Sequence, residues 1–118
     1  MISGIGIDII ELERIERAVK RNSRFVERIL TEKERDIYES FKQRKRKLEF
    51  LAGRFAAKEA FAKATGTGIG KLSFQHIEVL PNEIGAPEII VEGFIKEKIF
   101  LSISHSKQYA VAQVIITK

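Results

Sequence analysis

The sequence predicts an α+β fold, because segments with strand character open and close the chain and a helical region lies between them. Residues 2–8 are rich in β-branched side chains, and Gly4 and Gly6 would allow another backbone to approach closely. Residues 9–65 have a helical pattern, and four apolar runs separated by turn residues follow as a β-meander. We therefore expect an N-terminal strand and helices packed on a small, mostly antiparallel sheet.

Local signals set the boundaries of the predicted elements. Thr31 followed by Glu34 has the form of a capping box, so a helix is expected to start there. Another helix should run from about residue 46 to residue 65 and end at Gly66. The predicted strands are residues 74–80, 87–93, 100–105 and 109–117. The segment SHSKQ between the last two indicates a hairpin loop.

The composition is typical of a single soluble domain, residues 1–118. Of the 118 residues 44% are hydrophobic, which is enough for one core. The absence of cysteine excludes disulfides and thiolate zinc sites. No apolar stretch reaches the roughly 20 residues of a membrane span, and no signal-peptide pattern is present. We expect a cytoplasmic protein without a membrane partner.

The positive charge is concentrated in the first half of the chain and predicts an acidic partner. The net charge of +5 comes entirely from residues 1–63, and residues 64–118 are neutral. Four arginines are spaced three, four and three residues apart, which on one helix would put them on one face: Arg14, Arg17, Arg21 and Arg24. The segment KQRKRK forms a second basic cluster.

Two carboxylates lie in apolar surroundings, where an uncompensated charge is costly. Helical spacing puts Glu59 on the same side as its apolar neighbours, where it could form an i,i+4 pair with Lys63 or bind a cation. Asp8, flanked by isoleucines, could cap the following helix or bind the same cation. A shared Mg²⁺ would account for both, since it prefers oxygen ligands and often needs only one or two carboxylates besides substrate phosphates.

The glycines after the long helix could bind an anion. GTGIGK fits neither the Walker A nor the Rossmann spacing. A weaker possibility is an anion held by the backbone N–H groups of three glycines beside two lysines: Gly66, Gly68, Gly70, Lys63 and Lys71. The alternative is a helix C-cap followed by a turn.

Neither histidine predicts a metal site by itself. A lone histidine without a second ligand at metal spacing is poor support for zinc. His105, at the end of a predicted strand, could contact a phosphate or relay a proton, and it could equally be an ordinary turn residue. We assign no role to His76.

Three blocks of sequence match one known family when taken together. They are GIGIDIIELERI, FLAGRFAAKEAFAKATGTGIG and SISHSKQYAVAQV, and the intervening TEKER and NEIGAPEI also fit. In this order and spacing they resemble the bacterial holo-acyl-carrier-protein synthases, the short group I type of 4′-phosphopantetheinyl transferase. The resemblance covers essentially the whole chain.

The resemblance implies a fold, a reaction and an assembly. The fold would be that of 4′-phosphopantetheinyl transferases. The reaction would transfer the phosphopantetheine arm of coenzyme A to a serine of apo acyl-carrier protein, releasing adenosine 3′,5′-bisphosphate, for fatty acid biosynthesis. The family is Mg²⁺-dependent and forms a homotrimer with active sites at subunit interfaces.

The resemblance also implies roles for the residues near the two carboxylates. Asp8 and Glu59 match the family's metal ligands, and Lys63 matches a lysine one helical turn after the glutamate. Three acceptors for the serine proton stay open: Lys63, Glu59, or a metal-bound water held by Asp8.

The remaining site residues would contact the coenzyme and the carrier protein. His105 matches a histidine near the coenzyme's phosphates, and we assign Lys63 and Gly66 to the same ligand. Three arginines match basic positions that meet the acidic carrier protein: Arg14, Arg21 and Arg24.

Two other classes of function compete with this interpretation. A nucleic-acid-binding module would explain the sequence pI of about 9.6 but not the carboxylates in apolar runs. Such a module usually stacks bases on aromatic side chains, and this chain has no Trp and two Tyr. A non-catalytic oligomerisation subunit would need Asp8 and Glu59 only for stability. We expect an enzyme without a nucleic-acid partner.

Overall fold

The computed structural model describes residues 1–66 and 73–118. Strand β1 (Ile2–Glu11) is followed by four helices: α1 (Leu12–Arg21), α2 (Phe25–Ile29), α3 (Glu32–Ser40) and α4 (Arg44–Thr65). A 3₁₀ turn at Phe74–His76 leads into the remaining strands: β2 (Ile77–Pro81), β3 (Pro87–Val91), β4 (Lys98–His105) and β5 (Tyr109–Thr117). In these ranges, no helix has both the length and the apolar character needed to cross a membrane.

The α+β class and the main local signals are confirmed. Thr31 and Glu34 form the predicted capping box at the start of α3. Helix α4 ends where predicted, at Gly66, which has a φ of 79° in the left-handed region that favours glycine. The loop predicted from SHSKQ joins β4 and β5 as an antiparallel hairpin.

Several predicted boundaries and pairings are wrong. The helical region begins at Leu12 rather than residue 9, because β1 continues to Glu11 and pairs with β5 along its length. Residues 74–76 form a 3₁₀ turn capped by Ser73 rather than the start of a strand. The later strands do not form one meander: β1, β5 and β4 make a three-stranded sheet, and β2 and β3 make a separate hairpin.

Helix α4 packs against one face of the three-stranded sheet. Directly opposite residues share a face, so the register puts Asp8 of β1 beside Ala112 of β5 and Ile103 of β4 on the α4 side. On this face β5 contributes four buried side chains to the core: Ala110, Ala112, Val114 and Ile116. The isoleucines that alternate with Gly6 and Asp8 on β1 point to the opposite, exposed face.

The backbones of β1 and α4 are in direct contact. A Cβ atom at Gly6 would collide with the carbonyl oxygen of Ala60 and lie 2.7 Å from the Ala64 nitrogen, and one at Gly4 would collide with the carbonyl oxygen of Ala64. The close approach predicted for these glycines is therefore confirmed. It places Asp8, two residues after Gly6 on the same face, against the last turns of α4.

A buried ion pair that was not predicted from the sequence joins α4 to α3. Lys58 Nζ lies 2.6 Å from Glu34 Oε1, and both side chains are completely buried. Glu34 also accepts from the backbone N–H groups of Thr31 (2.8 Å) and Val79 (2.7 Å). Burial lowers the pKa of Lys58, and the charge and hydrogen bond of Glu34 oppose this shift.

Gly6→Ala should push β1 away from α4, because the new methyl group would meet rigid backbone atoms rather than a side chain. We expect a loss of unfolding free energy of roughly 1–3 kcal/mol or more, measured by urea denaturation. Gly53→Ala is the matched control, since its Cβ would meet only the Ile103 side chain at 3.1 Å. Equal stability of Gly6→Ala and the wild-type chain would contradict the close contact.

Candidate active site

Asp8 and Lys63 form an ion pair at the contact between β1 and α4. Lys63 Nζ donates to Asp8 Oδ1 and to the carbonyl oxygen of Ile7, each at 2.9 Å. The Asp8 side chain is only 15% exposed, against 54% for Lys63. Asp8 therefore does not cap α1, because it lies inside β1 and the N-cap position belongs to Glu11.

Glu59 is half-buried beside this pair and is not neutralised by it. The i,i+4 pair between Glu59 and Lys63, one of the two alternatives for Glu59, is not formed, since Lys63 bonds Asp8 instead and Glu59 has no hydrogen bond or ion pair among the described residues. Burial, and then the charge of Asp8, raise the pKa of Glu59, while Lys63 and Arg14 act in the opposite direction. The two carboxylates thus repel each other across a partly buried site.

This donor set fits a hard divalent cation that shares its coordination with a substrate. Asp8 and Glu59 supply carboxylate oxygens, and a cation between them would relieve the repulsion that raises the pKa of Glu59. The described parts of the chain contain no group of three or more His, Cys, Asp or Glu residues suited to a metal. A two-carboxylate site is typical of Mg²⁺, which keeps waters and substrate phosphates as its other ligands.

Gly66 lies one turn beyond Lys63 and supports the C-cap interpretation. Its N–H donates to the carbonyl oxygen of Lys63 at 3.1 Å, so this N–H is not free to bind an anion, which was the weaker of the two alternatives. Among the described residues other than its chain neighbours, none has a heavy atom within 4 Å of a Cβ built at this position, so this part of the structure leaves room for a ligand beside its backbone. The other predicted anion-binding residues, Gly68, Gly70 and Lys71, lie outside the described residues.

His105 lies at the end of β4 in a cavity of about 170 Å³ lined in part by Arg46 and Arg54. Its Nδ1 is 3.4 Å from Glu49 Oε2 of α4. The Arg54 guanidinium stacks over the Phe50 ring at 4.1 Å, and burial lowers the pKa of Arg54 to about 10. Neither arginine was predicted from the sequence as a site residue, although one lies in KQRKRK and the other in the central family block.

The structure does not bring His105 to the Asp8 site within one chain. Strand β5 lies between β1 and β4. On α4, Glu49 adjoins His105 and Glu59 adjoins Asp8, so the two positions are separated by ten residues, or about 15 Å of helix. The predicted site residues therefore fall into two groups at different ends of α4.

The predicted arginine face is only partly correct. Leu12 and Ile15 are buried as expected, and Arg14 and Arg21 are exposed on α1. Arg24 is not on that helix, because α1 ends at Arg21 and Arg24 is the N-cap residue of α2. The face also mixes signs, since Arg17 pairs with Glu13 at 3.6 Å.

Comparison with known proteins assigns the family. A sequence model of the 4′-phosphopantetheinyl transferase superfamily matches residues 4–114. The chain is 59% identical over 116 residues to a holo-[acyl-carrier-protein] synthase of Oceanobacillus iheyensis, covering 98% of this chain and 97% of the relative. It is 56% identical over 117 residues to one of Listeria innocua, covering 98% of each.

Solved structures agree with the sequence comparison. A crystal structure of a Bacillus anthracis holo-(acyl-carrier-protein) synthase in complex with CoA (3′,5′-ADP) matches with a TM-score of 0.90 and 55% identity, covering 98% of this chain and 96% of that one. A Helicobacter pylori holo-[acyl-carrier-protein] synthase in complex with coenzyme A matches with a TM-score of 0.84 and 37% identity, covering 96% and 99%. The chain belongs to the 4′-phosphopantetheinyl transferase superfamily.

Proposed function

We propose that this protein, as one domain in the cytoplasm, transfers 4′-phosphopantetheine from coenzyme A to a serine of apo acyl-carrier protein for fatty acid biosynthesis. The products are holo-acyl-carrier protein and adenosine 3′,5′-bisphosphate. The observation that carries the proposal is the convergence of Asp8, Glu59 and Lys63 at the contact between β1 and α4, in a chain closely similar to holo-[acyl-carrier-protein] synthases. A nucleic-acid-binding role gives no account of this carboxylate pair.

Asp8 and Glu59 are the proposed ligands of Mg²⁺. Both carboxylates lie at the edge of the core, where their mutual repulsion favours a bound cation. When bound there, Mg²⁺ would supply positive charge to the pyrophosphate of coenzyme A and to the charge that develops in the displacement at phosphorus. The chain's own residues must then orient the two substrates and accept the serine proton.

Lys63 acts as a donor rather than as the base. Its ammonium group already donates to Asp8 and to Ile7, which leaves one N–H for an anionic group of the substrate. Glu59 is the better proton acceptor, because it is a carboxylate that no described residue hydrogen-bonds, whereas Lys63 is held as a donor. The serine oxygen forms a bond to the phosphorus, its proton passes to Glu59, and the bond to the adenosine bisphosphate breaks.

The second group of residues would bind the anionic end of the coenzyme. The cavity at His105 contains two guanidinium groups, from Arg46 and Arg54, which suit phosphate oxygens. Gly66 would contact the coenzyme by close approach of its backbone rather than through its N–H.

A homotrimer with active sites at the subunit interfaces would bring the two groups together. The sheet face opposite α4 exposes large apolar side chains, with Ile7 at 57%, and such a patch is typical of a protein interface. The other members are Ile5, Ile9 and Phe100. A second subunit could then place its His105 cavity beside Asp8 of the first.

The carrier protein would dock on the exposed basic residues next to the metal site. Arg14 and Arg21 lie on α1, and Arg24 begins α2. Arg14 is close enough to Glu59 to influence the pKa of its carboxyl group. The docking surface therefore adjoins the reacting groups, which a serine on an acidic carrier protein requires.

The reaction is tested by mass spectrometry of apo acyl-carrier protein incubated with this protein, coenzyme A and Mg²⁺. We expect a phosphopantetheine-sized mass increase on the carrier that is lost when a chelator is added. No increase on any of several carriers, from a folded sample, would contradict the proposed function.

Glu59→Gln should separate activity from stability. We expect turnover to fall about 100-fold or more, because the variant loses a metal ligand and a proton acceptor. Because the fold raises the pKa of the Glu59 carboxyl group, the folded wild-type chain loses stability as the pH rises through the titration of that group. Without metal, the variant should therefore melt at a higher temperature than the wild type at pH 7, and the difference should vanish below about pH 4.

The same thermal melts include a control with added Mg²⁺, which should stabilise the wild-type chain and not the variant. A variant that is less stable than the wild type at pH 7, or that keeps normal turnover, would contradict the assigned role of Glu59.

The shared site is tested by mixing two inactive variants, Glu59→Gln and His105→Ala. If each active site combines Glu59 of one subunit with His105 of the next, random equimolar trimers should regain about a quarter of wild-type activity. Mixtures that stay inactive after subunit exchange would show that both residues serve the same chain.

Ile7→Asp should convert the trimer to monomers on size exclusion, while Ile95→Asp, at a more exposed isoleucine outside the sheet, should not.

A further inference from the structure

The C-terminal end of α2 is held by side chains from three other elements. Arg35 of α3, Lys58 of α4 and Gln75 of the 3₁₀ turn together donate to four consecutive carbonyl oxygens, and we call these three residues the α2 clamp. Gln75 Nε2 reaches three of the carbonyls, those of Glu27 (2.7 Å), Arg28 (3.2 Å) and Leu30 (2.8 Å). Lys58 Nζ reaches Ile29 at 2.7 Å, and Arg35 Nη1 reaches Leu30 at 3.1 Å and Glu27 at 3.4 Å.

Helix α2 needs such contacts because it cannot be stable by itself. It has five residues, far fewer than an isolated helix requires in water. The last carbonyl groups of any helix lack intrahelical partners, and two cations among the three donors also complement the negative end of the helix dipole. The clamp therefore adds a polar attachment of α2 to α3 and α4 beside the burial of Ile29 and Leu30 in the core.

The opposite end of α2 belongs to the proposed carrier-protein surface. Arg24 is its N-cap residue and is exposed. Phe25, the first helical residue, packs on Phe55 of α4 with 6.3 Å between ring centroids. Lys58 follows Phe55 by three residues and immediately precedes Glu59. Helix α2 thus connects a docking residue at one end to the helix that carries the proposed metal ligand at the other.

We propose that Arg35, Lys58 and Gln75 are positioning residues that fix α2 for docking of the acidic carrier protein. The inference rests on the proposed docking role of Arg24. The clamp touches neither substrate: it acts by keeping Arg24 and Phe25 in one place, so that the carrier protein meets a pre-organised surface.

Gln75 is the residue at which this role can be separated from folding. Removing Lys58 would leave the Glu34 carboxylate buried and unpaired, which destabilises the whole fold. Gln75 carries no charge and lies at the surface, so Gln75→Leu removes the two amide N–H groups shared among three carbonyl oxygens without burying a charge. Gln75→Lys keeps a donor near the same carbonyls, and Gln108→Leu makes the same change in the loop between β4 and β5.

Steady-state kinetics and hydrogen exchange test the proposal in the full-length enzyme. For Gln75→Leu we expect the KM for apo acyl-carrier protein to rise about three- to tenfold, with kcat and the KM for coenzyme A changed less than about twofold. Amide exchange at Arg28 and Leu30, whose N–H groups donate within the α2 turn, should be about tenfold faster. Gln75→Lys should keep the KM for the carrier and the exchange rates close to the wild-type values, and Gln108→Leu should change neither.

Comparison with Arg24→Glu distinguishes the clamp from the docking surface. If Arg24→Glu raises the KM for the carrier and Gln75→Leu does not, the clamp proposal is overturned while docking stands. If Arg24→Glu leaves this KM unchanged, the docking role of Arg24 fails, and the clamp proposal that rests on it is overturned with it. Faster exchange with unchanged KM, or a loss confined to kcat, would also overturn the proposal.

Discussion

The direct contact between the backbones of β1 and α4 is the constraint on which the site depends. Only glycine at positions 4 and 6 allows the strand to lie against Ala60 and Ala64 of the helix. Asp8 follows on the same face of the strand, and Glu59 and Lys63 lie on either side of Ala60 along the helix. The distance between the acidic and basic groups is therefore set by packing of the smallest residues rather than by the charged side chains themselves.

Two neighbouring ionisable residues of α4 lie in contrasting electrostatic environments. Lys58 is completely buried, and its ammonium group is matched by Glu34 and by the carbonyl oxygens of Ile29 and Phe74. Glu59, the next residue, lies about 100° around the helix and has no such partner among the described residues. The fold thus neutralises one charge and leaves the other unfavourable, and an unfavourable charge in a partly buried position is typical of a functional site.

The sequence predicted what local chemistry determines. The capping box at Thr31 and the end of α4 at Gly66 each depend on a few neighbouring residues, and the close approach at Gly6 was indicated by the missing side chain of that one residue. The division of the strands into two sheets and the partner of Lys63 depend on contacts between distant residues, so they could not be predicted in this way. Lys58 was overlooked because its partner is 24 residues away and helical spacing alone makes it resemble a surface charge.

The separation between the two groups of site residues cannot be closed by movement within one chain. Glu49 and Glu59 belong to the same unbroken helix of 22 residues, and the strands that carry His105 and Asp8 are hydrogen-bonded to the same β5. A hinge or loop closure would need to break that helix or that sheet. Only a ligand long enough to span about 15 Å, or a second copy of the chain, can connect the groups. The exposed apolar face of the same sheet favours the second copy.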